Sequence, residues 1–205
     1  MIFFYLTFLP VFAPPPQDST ETLFDGVSLS GWKTSEKNTW KVINGAIVGG
    51  NLNQPTPKNS FLFYEKEFEN FELRFQFLLE GFPEQGMVNS GVQFRSEKFG
   101  GGNARGYQAD IGDPTWWGSL YDEHRRNRVL AHSNMKLLEP SLNREKWNDY
   151  VIRCIGPRIR LWINGVSTVD YVERDSQISR KGKIALQLHS GGPVQVSFRN
   201  ITITN

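Results

Sequence analysis

Two short strand-like segments carry polar side chains of the kinds that bind sugars, at alternating positions. The first contains Gln93 and Arg95, and the second contains Gln108 and Asp110. Because successive side chains of a β-strand point to opposite faces, all four are predicted to point to one face of a sheet. Amide, guanidinium and carboxyl groups supply the donors and acceptors that the hydroxyls of a sugar ring require.

Aromatic residues lie close to these polar residues in the sequence. Tyr107 is inside the second segment, and Trp116, Trp117 and Tyr121 follow it. Aromatic rings stack on the apolar faces of a pyranose, so these four are candidate stacking platforms. Trp117 and Tyr121 have the same parity in an extended chain and are the predicted pair. Together, the rings and polar groups predict a carbohydrate site, which leaves open whether that site performs chemistry.

The composition excludes several other kinds of partner and site. The chain has 205 residues, with 23 Lys and Arg against 21 Asp and Glu, so neither nucleic acid nor an anionic membrane surface is expected as a partner. Cys154 is the only cysteine, which excludes an intramolecular disulfide, and its phase with Ile152 predicts a buried, inert thiol. No His or Cys spacing typical of a metal site occurs, so neither a metal nor another cofactor is predicted.

The first 22 residues differ in character from the rest of the chain. Residues 1–13 are apolar but too few to span a bilayer, and they have the length of a secretory signal core. They lack the basic residues with which a signal peptide usually begins. The alternative to a signal peptide is that the start codon is incorrectly assigned. Residues 14–22 are rich in Pro and polar residues, which predicts a disordered linker. The sequence therefore predicts an exported protein with a single domain at 23–205 and no membrane insertion of that domain.

From residue 23 onward the pattern is that of an all-β protein. Residues 71–77 alternate cleanly, with Phe and Leu at the odd positions and Glu, Arg and Gln at the even ones. Asn164-Gly165 predicts a type I′ hairpin turn. Only residues 125–138 could be helical. About a dozen strands without covering helices predict a two-sheet antiparallel β-sandwich of jelly-roll type.

The polar positions of several strands are predicted to share one concave hydrogen-bonding face. The alternative is an ordinary solvated sheet face. The residues of this predicted face are Glu72, Arg74, Gln76, Gln93, Arg95, Gln108, Asp110, Gln187 and His189.

Seven motifs, in order from residue 23 to the end, resemble the 3-keto-disaccharide hydrolase domain family. They are Leu23–Trp32, Trp40 with Asn44–Ile47, Asn89–Arg95, Gly106–Asp110, Trp147-Asn148, Trp162–Gly165 and Phe198–Ile201. The resemblance implies a concanavalin A-like jelly roll that acts on oligosaccharides or glycosides with a ketone at C3. It also implies a pathway link to a sugar 3-oxidoreductase that installs the ketone, and export by a glycan-degrading bacterium. Family membership alone does not imply catalysis.

A C3 ketone makes the C2 proton acidic, so a base can remove it and the C1 substituent can leave by elimination, with water adding afterwards. Such a site needs a base, a donor for the ketone oxygen and an acid for the leaving oxygen. Asp110 is the candidate base, Glu123 the candidate acid, and His189 a candidate for either role. Arg95 or Arg126 is predicted to stabilise the enolate.

Each of these residues also has a structural interpretation. Asp110 could simply bind a sugar hydroxyl, Glu123 could fix a loop through an arginine, and His189 could be an ordinary sheet residue. Asp122 is predicted to point away from Glu123 and to be structural. Three functions therefore remain at this stage: a glycoside-cleaving enzyme, a non-catalytic carbohydrate-binding module, and a protein-interaction sandwich.

Overall fold

The structure is a computed structural model that describes residues 19–205, so the predicted signal segment lies outside the described residues. Two antiparallel sheets pack face to face, which confirms the predicted sandwich. The eight strands of the back sheet are β1 (Thr20–Thr22), β3 (Trp40–Ile43), β4 (Ala46–Asn51), β6 (Phe71–Gly81), β11 (Asn148–Ile155), β12 (Arg158–Ile163), β13 (Val166–Val172) and β15 (Val194–Thr204). The seven strands of the front sheet are β2 (Trp32–Lys33), β5 (Ser60–Phe68), β7 (Asn89–Phe99), β8 (Asn103–Gly112), β9 (Leu120–Glu123), β10 (Arg128–Ala131) and β14 (Gly182–Leu188).

The strand order is that of a jelly roll. The back sheet runs β13-β12-β11-β6-β15-β4-β3, with β1 added along β15, and the front sheet runs β10-β9-β8-β7-β14-β5-β2. Short helical turns occur at Pro83–Gln85, at α1 (Met135–Leu138) and at Glu139–Ser141. Within residues 19–205, no helix has the length and apolar character needed to cross a bilayer.

Two local predictions need correction and one is confirmed. The predicted linker is wrong in its last three residues, because β1 pairs with the end of β15. The possible helix at 125–138 is helical only in α1, and β10 occupies residues 128–131. Asn164 and Gly165 both have positive φ, +48° and +80°, as the predicted type I′ turn requires.

The core lies between the sheets and is built from the alternating apolar positions of their strands. Phe71, Leu73, Phe75 and Phe77 of β6 are all buried there. Cys154 is also buried, and burial raises the pKa of its thiol to about 12, as expected of an inert thiol. The polar residues of β6 lie on the outer face of the back sheet. The prediction that Glu72, Arg74 and Gln76 share a face with the site residues is therefore wrong, because they belong to the other sheet.

A β-bulge in β7 decides which part of the front sheet stays open. The register between β7 and β8 shifts between Phe94 and Glu97, and Arg95 within this shift has a φ of +46°. Beyond the bulge, Ala104 of β8 packs with Phe61 and Phe63 of β5, and Lys98 lies over the Phe63 ring. The far end of the β7–β8 hairpin thus covers the β5 side of the outer face. The β7, β8 and β9 side remains accessible.

Candidate active site

The accessible part of the front sheet holds a pocket of about 180 Å³. Its lining residues are Met87, Asn89, Gln108, Asp110, Trp116, Tyr121, Glu123 and His189. The pocket is smaller than the roughly 300–1,000 Å³ that drug-sized ligands occupy, and its size suits a single sugar ring.

Three strands of the front sheet bring the three predicted catalytic residues together. Asp110 lies on β8 and Glu123 on β9, and these strands are in antiparallel register with Gln108 opposite Tyr121. His189 immediately follows β14, and its backbone N–H donates to the carbonyl of Asn89 at 3.4 Å. Asp110, Glu123 and His189 therefore line one pocket, as the sequence predicted.

Asp110 is a buried carboxyl with one side-chain donor. Its side chain is 3% exposed, and Gln108 Nε2 donates to Oδ1 at 2.6 Å. Burial raises the pKa of Asp110 well above the usual range, the Gln108 bond opposes that rise, and the nearby Glu123 carboxylate adds to it. Such a carboxylate is a stronger base than a solvated one.

Glu123 is the second carboxyl of the pocket. Burial raises its pKa, the charges of His124 and His189 lower it, and Asp122 raises it. The predicted alternative, that Glu123 fixes a loop through Arg125 or Arg126, is not observed. That task falls to Asp122, which is buried on the core side and binds both arginines, as its predicted structural role requires.

The ring of His189 has a defined proton arrangement. Nδ1 lies 2.5 Å from the Ser190 carbonyl oxygen, which can only accept, so Nδ1 carries the proton of this bond. In the neutral ring, Nε2 is then the nitrogen with a free lone pair. A histidine held in one tautomer can exchange a proton at a single defined atom.

One predicted stacking residue lies in the pocket and another does not. Tyr121 lines the pocket as predicted. Trp117 is only 1% exposed, stacks on Phe77 in the core and donates through Nε1 to Asp113, so its predicted role is wrong. Strand parity fails here because residues 113–118 form a turn rather than a strand. Trp116 provides the indole of the pocket instead.

The two predicted enolate-binding arginines are not in the pocket. The bulge turns Arg95 away from the outer face, and its guanidinium donates to the backbone carbonyls of Glu69 and Gly156. Arg126 binds Asp122 and Glu173. Neither residue can therefore stabilise an enolate here.

Three more predicted binding residues are buried outside the pocket lining. Tyr107 follows the strand alternation to the core, where its ring stacks on Phe94 and its hydroxyl donates to Glu173 at 2.7 Å. Gln187 and Gln93 lie on the correct face, but both are completely buried and neither lines the pocket. Gln93 instead donates to Gln108 at 2.6 Å.

Residues 19–204 match the family described as the 3-keto-alpha-glucoside-1,2-lyase-like domain. The chain belongs to this family. The match confirms the resemblance carried by the seven motifs and covers nearly all of the described residues. No curated protein matches the chain significantly.

Solved structures share the fold of this lyase-like domain at low identity. A candidate glycosyl hydrolase from Parabacteroides distasonis ATCC 8503 has a TM-score of 0.65 and 18% identity, covering 90% of this chain and 92% of that one. The carbohydrate-binding module CBM66 from Bacillus subtilis has a TM-score of 0.65 and 16% identity, covering 85% and 96%. The laminarinase catalytic domain from Thermotoga maritima MSB8 has a TM-score of 0.59 and 11% identity, covering 91% and 95%. These likenesses show that the chain has the jelly-roll fold of these domains.

Sequence reasoning missed Met87 and Asn89 as pocket residues of this domain, and it preferred Trp117 to Trp116 as the stacking indole. Asn89 had a usable signal, since it shares strand parity with Gln93. Trp116 and Met87 lie outside strands, so no periodicity could have assigned them a face. Among residues 19–205, no group of three or more His, Cys, Asp or Glu side chains is arranged to hold a metal ion.

A single methyl group on the sheet beside the pocket is expected to impair this site. A Cβ at Gly91 would lie 2.7 Å from Cγ and Cδ of Gln108, so Gly91→Ala should displace the amide that binds Asp110. For the glycosidic cleavage proposed below, we expect kcat/KM to fall about 10-fold to 100-fold, because catalytic groups tolerate little misplacement. Gly100→Ala is the matched control, since a Cβ there meets no atom within 4 Å. Equal activity of the two variants would contradict the assigned contact.

Proposed function

We propose that this protein cleaves the glycosidic bond of 3-keto-glycosides or 3-keto-disaccharides by elimination followed by hydration. The observation that supports the proposal is the pocket itself. Two carboxyls whose pKa values burial raises share a space of about 180 Å³ with an imidazole and an indole. The family description, a 3-keto-glucoside lyase, agrees with this chemistry.

The elimination starts at C2 of the sugar ring. Asp110 removes the C2 proton, and the electrons of that bond form an enolate with the C3 ketone. The enolate then reforms the ketone as a C1–C2 double bond is made and the C1–oxygen bond breaks. Glu123 donates a proton to the departing oxygen, which leaves as a hydroxyl group.

Other pocket residues serve the enolate and the water. With the arginines outside the pocket, the Tyr121 hydroxyl is the donor to the ketone oxygen. Burial and the Glu123 and Asp110 carboxylates raise its pKa, so it keeps its proton. In the hydration step, Nε2 of His189 takes a proton from the water that adds to C1, and Asp110 returns a proton to C2. The product is the free 3-keto sugar.

The decisive experiment compares ketones with their parents. The purified protein is incubated with 3-keto-trehalose, 3-keto-lactose and the unoxidised disaccharides, and free sugar and 2-hydroxyglycal are measured. We expect products from the ketones alone, because the parents lack an acidic C2 proton. Cleavage of the parents but not of the ketones would reject the elimination mechanism.

A non-catalytic carbohydrate-binding module is the second candidate. It is favoured by the equal TM-score of CBM66 and of the candidate hydrolase, 0.65 in both cases. In this case the ketones would bind without turnover, and Asp110→Asn would leave the binding affinity unchanged.

The two neighbouring tryptophans are expected to respond differently to truncation. Trp116→Ala should weaken sugar binding about tenfold, equivalent to about 1.4 kcal/mol, with little change in stability, because only a pocket wall is lost. Trp117→Ala should cost about 3–5 kcal/mol in the free energy of unfolding, because it leaves a cavity against Phe77. Calorimetric titration and urea denaturation measure the two effects. A loss of affinity in Trp117→Ala at full stability would contradict the core assignment.

The biological setting is proposed on the same basis. The C3 ketone must come from a sugar 3-oxidoreductase that acts before this protein. We propose that the protein is exported and that it has a single domain, in keeping with the family match over residues 19–204. N-terminal sequencing of the protein recovered from the culture medium or periplasm would test export. An intact Met1 in the recovered protein would reject signal cleavage.

A further inference from the structure

Behind the pocket, a row of buried side-chain hydrogen bonds leads to Asp110. Ser96 Oγ lies 3.0 Å from Gln93 Oε1, Gln93 Nε2 donates to Gln108 Oε1 at 2.6 Å, and Gln108 Nε2 donates to Asp110 Oδ1 at 2.6 Å. All four residues are buried, and we call this row the amide relay. Its order along the sheet follows from the register, which places Gln93 directly opposite Gln108.

The polarity of the relay favours an ionised Asp110. An amide has one donor end and one acceptor end, so fixing one end determines what the other end presents. Because Gln93 donates to the oxygen of Gln108, the nitrogen of Gln108 is directed at Asp110. An ionised carboxylate can only accept, and therefore matches this nitrogen. Without Gln93, the Gln108 amide would be free to rotate and present its oxygen instead.

Gln93 rather than Ser96 is the residue that sets this polarity. The single hydroxyl proton of Ser96 has a second acceptor, the Phe94 carbonyl at 2.9 Å, so Ser96 does not have to donate to Gln93. Gln93 has one donor contact, and it is short. Gln93 is also absent from the pocket lining, so it cannot act on a substrate directly.

We propose that Gln93 is a positioning residue that holds the Gln108 amide toward Asp110, so that Asp110 is presented to the substrate as an ionised base. This inference deepens the proposed function and rests on Asp110 acting as that base. Four other titratable groups lie near Asp110 on the surrounding elements. They are Tyr121 and Glu123 on β9, His189 after β14, and Tyr150 of the back sheet, whose hydroxyl lies 3.5 Å from the Asp110 carbonyl oxygen. None of them donates to the Asp110 carboxyl, so the relay supplies its side-chain hydrogen bond among the described residues.

The test is the pH at which Asp110 titrates in Gln93→Leu. Loss of a hydrogen bond to the charged form raises a carboxyl pKa, so the ¹³C resonance of the Asp110 carboxyl should titrate about one pH unit higher than in the unaltered protein. The acid limb of the kcat/KM profile for a 3-keto-disaccharide should move upward by the same amount. Asp110→Asn identifies the resonance. Gln195→Leu is the control, since Gln195 donates to Glu80 on the outer face of the back sheet, and it should shift neither curve.

A second variant covers the case in which Gln93→Leu does not fold. Gln93→Met has a similar length but neither a donor nor a charge, and it is expected to shift the titration in the same direction. An unchanged Asp110 titration in a folded variant would overturn the relay. The resonance is measured without substrate, so a shifted titration in a protein that cleaves no 3-keto sugar would uphold the relay and reject the proposed function instead.

Discussion

Replacing Asp110 with asparagine is expected to lower kcat on a 3-keto-disaccharide by about 10²–10⁴-fold, the usual range for loss of a general base. Asparagine keeps an oxygen that can accept the Gln108 bond but cannot take up the C2 proton. Substrate affinity should therefore change little. Asp170→Asn is the matched control, because Asp170 is exposed and pairs with Arg158 on the edge of the back sheet. Single-turnover kinetics separate the chemical step from binding.

The same substitution should make the protein more stable at neutral pH. The pKa of Asp110 is raised in the folded state, so the folded protein binds the proton more tightly than the unfolded chain does. Ionisation of Asp110 therefore costs folding stability as the pH rises above the unfolded value. The neutral asparagine side chain removes this cost, and the gain in Tm should be larger at pH 7 than at pH 4. A protein that is less stable at pH 7, or equally active, would contradict the assigned role of Asp110.

Replacing Arg126 with methionine is expected to destabilise the fold by about 3–5 kcal/mol, because it removes one partner of buried ion pairs. Arg126 bridges two buried carboxylates: Asp122 of β9 in the front sheet, and Glu173, which follows β13 of the back sheet, at 2.5 Å. The guanidinium thus ties β9 of the front sheet to the end of the edge strand β13 of the back sheet. Urea denaturation measures the loss. Arg158→Met is the comparison, and because its pair with Asp170 is exposed to solvent, this substitution should hardly change the free energy of unfolding.

The pH dependence of stability provides an independent check on Arg126. Although burial opposes the effect, hydrogen bonds from Arg126 and Tyr107 lower the pKa of Glu173 to about 2. A carboxyl with a lowered pKa contributes stability above its unfolded value of about 4.3, and that contribution is lost as the pH falls towards 2. In Arg126→Met this acid dependence should become shallower. An Arg126→Met variant with normal stability and a raised KM would contradict this structural role and would indicate that Arg126 binds the substrate.

Strand alternation explains why much of the candidate site could be predicted. Asp110 and Gln108 on β8, and Tyr121 and Glu123 on β9, reach the same face because residues two apart in a strand point the same way. This rule needs no knowledge of distant contacts. The same rule explains why Tyr107 is not a stacking residue of the pocket: Tyr107 is adjacent to Gln108 in the strand and must point to the opposite face.

The predictions made from the sequence are wrong where the chain leaves regular strand geometry or where distant segments meet. The left-handed backbone at Arg95 reverses the alternation in β7, and the turn before Gly118 sends Trp117 into the core. Gln187 has the predicted face, but it is completely buried there. Glu72 alternates with its neighbours as predicted, but its strand β6 belongs to the back sheet. None of these outcomes leaves a periodic signal in the sequence.

The all-β class, the residues that share a face within each strand, and the family could therefore be predicted from the amino-acid order. The neighbours of each strand, the sheet to which it belongs, and the stretch of outer face that stays open beside Asp110 became clear only in the folded molecule. This division follows from the range of the interactions. Side-chain alternation is a property of a few consecutive residues, whereas strand order, the bulge and the covering hairpin end depend on contacts between segments far apart in the chain.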